Sequence, residues 1–462
     1  MNSAAFRSYI SSTFVMDLRS LALFRIGLGM TILVDLANRF TDLRMFYTDE
    51  GFLMAERILK RNWSIHAWFG SLEWAYFLFF LSAVFAVLLV FGYRSRIFIG
   101  LLFLMTISLH MRCPVINNAG DQLLRLILFI GFFLPMNSIW SIRAEPKSDK
   151  DQKFSPWIMI YYIQIITMYF IAGFSKFNMT WNWGMGIHYA MHQYTFAKPA
   201  AVLLLDSPSL SFFLTQAVLM LERFGWVLLV VPSKNQVWRL VCVLGFVMLH
   251  FGFYFFMELG MFPLIVIVAW LPLIPSIFWD KLNVRQSGII SVNSFNYINW
   301  IIPIVFVLIA SYGVYRKNPK LPKWRPAEVV LQNILLYQGW TMFSGPNKYD
   351  SWIVIKAKLE NGAHVDLYRD GRPVNYTKPN LYSAEFKSHR QRKFFKSLTR
   401  KELYFYRQYY LHWLIKEWNT NHKNGENVVY AWFYNMHEDI LPQGGYAPVE
   451  KKLLTEMDGD VE

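Results

Sequence analysis

In the stretch YFIAGFSKFNMTWNWGMG (residues 169–186) an apolar run ends on Lys176, followed by Phe177, Trp181 and Trp183. An ammonium held among apolar and aromatic groups has its charged form disfavoured, which would free the amine to act as a base near neutral pH. The same placement suits a snorkelling lysine with its stem in lipid and its head among headgroups. The aromatics likewise suit either a dry wall that stacks on a ring or a belt at the membrane interface. His188 and His192, in GIHYAMHQY, stand four apart, a spacing at which two imidazoles on one helix can share a metal. No acidic residue lies between them and no cysteine is near, so an interfacial helix facing water is expected there, and no metal site.

Other polar residues interrupt apolar runs. Asp121 and Arg125, in NNAGDQLLR, lie one helical turn apart and are expected to pair, which would let both enter a membrane. Arg25, Asp35, Glu222, Arg223 and His250 are also costly in such runs, so each either pairs with another helix or serves a function. The basic stretch KSHRQRKFFKSLTRK (387–401) reads as a solvated helix face, or as a surface for anionic headgroups or an acidic polypeptide.

These residues need a scaffold. Of 462 residues, 55% are hydrophobic and 18% aromatic, and several long runs carry no charge. That combination indicates a polytopic membrane protein. The net charge of +15 sits mostly in loops and in the last third, which fits anionic lipid headgroups rather than nucleic acid. Cys113 and Cys242 are far apart, so no disulfide framework is expected. The first nineteen residues are polar or mixed, and the apolar run after them reads as a retained span and not a cleaved signal.

A helix of about twenty apolar residues crosses a bilayer. Candidate spans are 20–38, 74–92, 97–112, 123–138, 157–175, 209–232, 238–256, 261–279 and 298–315, about nine helices in all, because strands would be shorter and alternating. With the N-terminus in the cytoplasm, the inner segments hold twelve arginines and lysines, from Arg7 to Arg285, against eight outside, from Arg39 to Lys198. That bias favours a cytoplasmic N-terminus. Nine spans would then put Lys176 and the C-terminal third on the outer, periplasmic or luminal side. RAEPKSDKDQKFSP (143–156) is a polar loop within the bundle, and RKNPKLPKWRP (316–326) is a basic linker out of it. The division expected is a helical bundle over 1–318 and a small α+β extramembrane domain over 319–462. In the latter, SWIVIKAKLENGAHVDLYRDG reads as two strands joined at Asn361-Gly362, residues 383–421 as helical, and NVVYAWFYNMHEDI as a further strand.

No phosphate-cradling glycine loop, nucleophile elbow, zinc-protease motif or nucleic-acid module is present. Taken together, LFRIGLGMTILVDLANR, FYTDEGFL, NNAGDQLLRLILFIGFFLP, YFIAGFSKFNMTW, MLHFGFYFFMELGMF and GWTMFSGPNKYDSWIVIKAKLENGAHVDLY resemble the horizontally transferred transmembrane (HTTM) family, in family order over most of residues 20–440. That family contains the vitamin K-dependent γ-glutamyl carboxylase. The resemblance implies a membrane carboxylase of the carbon–carbon lyase class. It would use a reduced vitamin K or menaquinol-type quinol with O2 and CO2, and a glutamate-containing protein or peptide as substrate. It assigns Lys176, in AGFSK, as the base that deprotonates the quinol, and His250 as a second catalytic residue. It places Asn137 and Ser138 beside the quinone, with Phe177, Trp181 and Trp183 as candidate stacking groups. The sequence departs from the family where a catalytic histidine of the animal enzyme is Ser138 here. Two rivals stay open: another quinol-linked redox enzyme, and a non-enzymatic membrane protein that binds lipid or a partner.

Overall fold

The computed structural model describes residues 3–143, 156–232, 236–284, 288–291, 301, 304–309, 311–312, 322–380, 382–422 and 425–459. Among them, six helices are long and apolar enough to cross a membrane. They are α1 (Leu18–Phe40), α2 (Leu72–Val90), α3 (Ser95–Arg112), then α5 (Pro156–Ser175), α6 (Pro208–Phe224, carried on by a 3-10 turn to Leu229) and α7 (Val237–Phe256), with α4 (Ala119–Gly131) and α8 (Phe262–Trp270) shorter. Among the described residues, six of the nine expected spans are thus present as long helices. The run 123–138 does not continue as helix, because α4 gives way after Gly131 to turns around Pro135. The run 261–279 breaks at Pro272 and Pro275, and half of the expected span 298–315 falls outside the described residues, the half that is described being helical. The division drawn at 318/319 also lies outside them.

Local chemistry starts these helices. Asp17 caps α1 by accepting from the Arg19 N–H, and Ser71 caps α2 by accepting from the Trp74 N–H. Asn118 and Asp121 form a reciprocal capping box at the start of α4. Phe80, Phe213, Met220, Met248, Phe251 and Phe255 stand exposed on α2, α6 and α7, the faces left for lipid.

The C-terminal residues build a five-stranded antiparallel sheet from β1 (Tyr349–Leu359), β2 (His364–Asp366), β3 (Arg372–Pro373), β4 (Val428–Asp439) and β5 (Glu450–Asp458), in the order β3-β2-β1-β4-β5. The Asn361-Gly362 hairpin is present, with Gly362 at φ +84° and Asn361 Oδ1 accepting from the Ala363 N–H. The helical stretch resolves into α9 (His389–Leu398) and α10 (Tyr404–Asn421). Strand β5 is not legible in EKKLLTEMD, because as a sheet edge it is mostly exposed and carries charges in place of an alternating apolar face.

Bundle and sheet region meet through buried charge. Asp35 (α1) and Asp121 (α4) are bridged by Arg39 (2.7 and 2.6 Å) and by Arg390 of α9 (2.8 and 2.5 Å). Asp121 therefore pairs across elements and not with Arg125, whose guanidinium donates to His110 Nδ1 (2.7 Å) and to the Leu335 carbonyl (3.1 Å). The oxygen and nitrogen atoms of Asp35, His110 and Asp121 cluster within 4.8 Å, but the two guanidiniums already occupy the carboxylates that a cation would need. Arg25 is held through its terminal nitrogens, which donate to the carbonyls of Met136 (3.0 Å), Ile139 and Trp140 and to Ser141 Oγ, while its Nε has no partner among the described residues. The basic stretch 387–401 is not a solvated face: Arg390 and Arg392 are buried against the bundle.

Candidate functional site

Helices α5 and α6 cross where Gly173 has no side chain. A Cβ there would lie 2.7 Å from Arg223 N and Glu222 C, so only glycine permits the approach. The crossing brings Glu222 of α6 against the residue that follows α5. Lys176 Nζ lies 2.5 Å from Glu222 Oε2 and 3.2 Å from the Ala172 carbonyl, and the lysine is 3% exposed. Arg223 faces the same turn, donating to the carbonyls of Gly173 and Lys176 (3.2 Å each) and so satisfying the end of α5. The amine therefore does not snorkel to a headgroup. Nor is it an isolated base, because it shares its site with a carboxylate.

Lys176 and Glu222 sit on the wall of an apolar cavity of about 310 Å³ among α5, α6, α7, the start of α8 and residues 340–343. Ala217 and Met248 line this cavity and are also exposed on the outer face of the bundle, so its mouth lies between α6 and α7 on a lipid-facing side. On the same wall stands His250. Trp270 Nε1 donates to Tyr169 Oη (3.0 Å), which leaves the Tyr169 hydroxyl proton for His250 Nε2 (2.8 Å). The ring proton of His250 therefore belongs on Nδ1, a buried atom with no partner. His250 thus lines the cavity with a polar donor in reserve, and the lining as a whole fits a ring with an apolar tail.

The aromatics separate by position. Trp181 is buried on the cavity wall, its indole 5.3 Å from Lys176 Nζ and its N–H donating to the Phe343 carbonyl (2.7 Å). Phe177 and Trp183 are 75% and 68% exposed and do not line the cavity, which is the interfacial alternative. Asn137 and Ser138 are not brought to it either. Asn137 accepts from Ser95 Oγ at the start of α3, and Ser138 Oγ donates to the Pro135 carbonyl. Both lie beyond the far end of α4, whose near end (Gly120) touches Phe262 of the cavity. The asparagine on the near side is Asn118, hidden from sequence reasoning because its capping role explains it fully. His188 and His192 are held by backbone: His188 Nε2 meets the Leu441 carbonyl and His192 Nδ1 the His188 carbonyl.

A second cavity of about 320 Å³ shares Phe262, Met342 and Phe343 with the first. One side of it is basic, formed by Arg392, Lys393, Lys396 and Arg400 on and just after α9, with His389 at the start of the helix. Burial pushes Lys393 and Lys396 down to about 8 and His389 down to about 3. The carboxylates that act on these groups are committed elsewhere, Glu258 to Lys198 (3.6 Å), Asp350 to Lys378 (3.0 Å) and Asp35 and Asp121 to Arg39 and Arg390, and none of them lines the cavity. This arrangement suits a ligand that carries its own anionic group.

Among known proteins, the family model described as the HTTM domain matches residues 15–279, more than half of the chain. No curated protein and no solved structure matches it.

Proposed function

The chain belongs to the HTTM family, as a multi-pass integral membrane protein, and from that premise we propose that it oxidises a reduced naphthoquinone-type quinol at the Lys176 cavity and uses that reaction to carboxylate glutamate side chains. One observation carries the reading. Lys176, paired with Glu222, and His250, whose Nδ1 is buried without a partner among the described residues, line one apolar cavity that opens toward lipid. Such a site admits a hydrophobic ring and its tail from the bilayer and keeps bulk water from the reacting oxygen.

The residues divide the work. The Lys176–Glu222 pair receives the hydroxyl proton of the quinol, and His250 Nδ1 donates to its oxygen. Trp181 and Phe262 close the cavity around the ring. When bound, the quinol and O2 supply the strong base needed to remove a γ-proton from glutamate before CO2 adds. The adjoining basic cavity, with Lys393 and Lys396, holds the acidic side chain of the peptide. The sheet region lies at the same end of the bundle as Lys176, since Asn178 and Trp181 donate to the carbonyls of Ser344 and Phe343.

Several arginines and lysines counted as loop charges are buried. Twelve inner ones less Arg19 and Arg239 leave ten, and eight outer ones less Arg39, Arg112 and Lys176 leave five. On the nine-span alternation, in which α4 and α8 each count as a crossing, the bias still favours a cytoplasmic N-terminus with the site on the outer side.

The test supplies purified protein in lipid discs with reduced vitamin K, O2, labelled bicarbonate and a glutamate peptide. Label is expected in the peptide. Quinol oxidation without label favours the redox rival, and neither product favours a non-enzymatic protein. Lys176→Met with Glu222→Leu replaces the pair by side chains of similar volume. It is expected to keep the fold and to lower turnover by about 10²-fold or more.

A further inference from the structure

The contact between Lys176 and Glu222 changes which atom can store a proton. An ammonium–carboxylate pair and an amine–carboxylic acid pair hold the same number of protons. In either form the amine cannot keep another one unless the carboxylate keeps one too. We propose that a proton taken from an acidic hydroxyl bound in the apolar cavity ends on Glu222, while Lys176 relays it and remains the cation that holds the new oxyanion. This inference rests on the quinol reading above and assigns Glu222 as a further catalytic residue on the cavity wall.

The balance is a proton transfer without electron transfer. The ligand O–H bond breaks and its proton goes to Nζ. An Nζ proton passes to Oε2 of Glu222 over the 2.5 Å contact. The ligand goes from neutral to an anion, Glu222 from an anion to neutral, and Lys176 stays a cation. Two buried charges exist before the step and two after it, so no new charge is created in the dry cavity. A lone neutral lysine would instead have to create an ion pair there, which burial opposes.

No other group on the wall takes the proton. His250 already holds one on Nδ1 and accepts from Tyr169 on Nε2. The Tyr169 hydroxyl is spent on that bond and accepts from Trp270. The Trp181 N–H donates to the Phe343 carbonyl, and Arg223, beside the pair, is committed to backbone carbonyls and has no lone pair to offer. Sequence reasoning does not reach this role for Glu222, because its partner is 46 residues away and is met only through the Gly173 crossing.

The test uses the full chain in lipid discs and a 1-naphthol bearing a short alkyl tail, whose naphthol and naphtholate forms absorb differently and which undergoes no turnover. At a pH where the free probe is neutral, wild type is expected to bind it as naphtholate. A protonated-carboxyl stretch should appear in the infrared difference spectrum. In Glu222→Gln the bound probe should stay neutral, with the naphtholate fraction down at least about tenfold, and Glu222→Asp should restore it. Naphtholate in Glu222→Gln, a neutral or unbound probe in wild type, or a carboxyl band that survives the substitution would each overturn the assignment. The wild-type spectrum needs no variant, so the proposal stays open to refutation even where Glu222→Gln fails to fold. Quinol consumption is measured beside it. Naphtholate without quinol consumption keeps this assignment and removes the enzyme reading, and quinol consumption with a neutral probe does the reverse.

Discussion

His250 is an imidazole with one nitrogen satisfied and the other buried without a partner among the described residues. An unmet buried donor of this kind costs about 1–3 kcal/mol, and Phe253 and Phe262, packed on the ring at 5.3 and 5.4 Å, offer it no acceptor. His250→Phe would remove that donor and keep ring packing, at the expense of leaving the Tyr169 hydroxyl without its acceptor. The two effects oppose each other, so stability is expected to stay within about 1 kcal/mol of wild type, while quinol turnover falls by about 10- to 10²-fold. Thermal unfolding and kcat/KM on one preparation check this, and unchanged kcat/KM would remove His250 from the site. At this scale the sequence is informative about type and poor about facing. Lys176 stands out because an apolar run ends on it, yet Trp181 cannot be told from Phe177 or Trp183. They share a short turn whose orientation is fixed by the Phe343 carbonyl, 162 residues away. Asn137 shares its residue type with the near-side Asn118, and the length of α4 separates the two.

Helix α9 shows how one element serves two surfaces. Its helical period is legible in the sequence; which residues turn inward is not, because a run so rich in lysine and arginine looks solvated on every side. Arg390 reaches the bundle, while Lys393 and Lys396 border the basic cavity. Burial lowers both lysines from an ordinary 10.5 to about 8. The sign follows from proton counting. Below about 8 both are charged in the folded and unfolded chain alike, so their burial penalty is fully present. Between about 8 and 10.5 the unfolded chain holds more protons, and stability rises with pH across that window. Anion binding has the opposite dependence, since it needs the charged lysines. His389, already neutral, does not contribute, while Arg392, which burial lowers only to about 10, is still charged across the step near 8. The affinity of a labelled glutamate-rich peptide, read by fluorescence anisotropy, is expected to be level below about pH 8 and to fall by about tenfold above it. In Lys393→Gln/Lys396→Gln that pH step should vanish and affinity should be low throughout. A step that persists in the double variant would place the peptide elsewhere, and preferential capture of anionic lipid discs over the peptide would point to a headgroup site.

In the whole molecule, bundle and sheet region are held together by a neutral set of two carboxylates and two guanidiniums drawn from α1, α4 and α9. Arg390 lies 355 residues from Asp35 and 269 from Asp121. No local pattern in the sequence pairs residues so far apart, which is why Asp121 reads there as the partner of its helical neighbour Arg125. Removing one member of such a set leaves a buried charge without its partner, a loss of about 3–5 kcal/mol. Arg390→Ala would leave Asp35 and Asp121 to share Arg39 alone, and it would also release the helix that walls the basic cavity. The expected outcome is earlier unfolding of the sheet region, so that a single thermal transition splits in two, together with weaker peptide binding. Arg390→Lys keeps the charge but not a planar fork able to meet Asp35 and both oxygens of Asp121, and should lie between the two. A paired change, Arg390→Met with Asp121→Leu, would leave Asp35 opposite Arg39 as a complete pair. Most of the lost stability should then return, although His110 loses its acceptor. If Arg390→Ala instead unfolded in one transition at the wild-type temperature, the two regions would be joined by apolar packing, and the buried ion set would contribute nothing to their union.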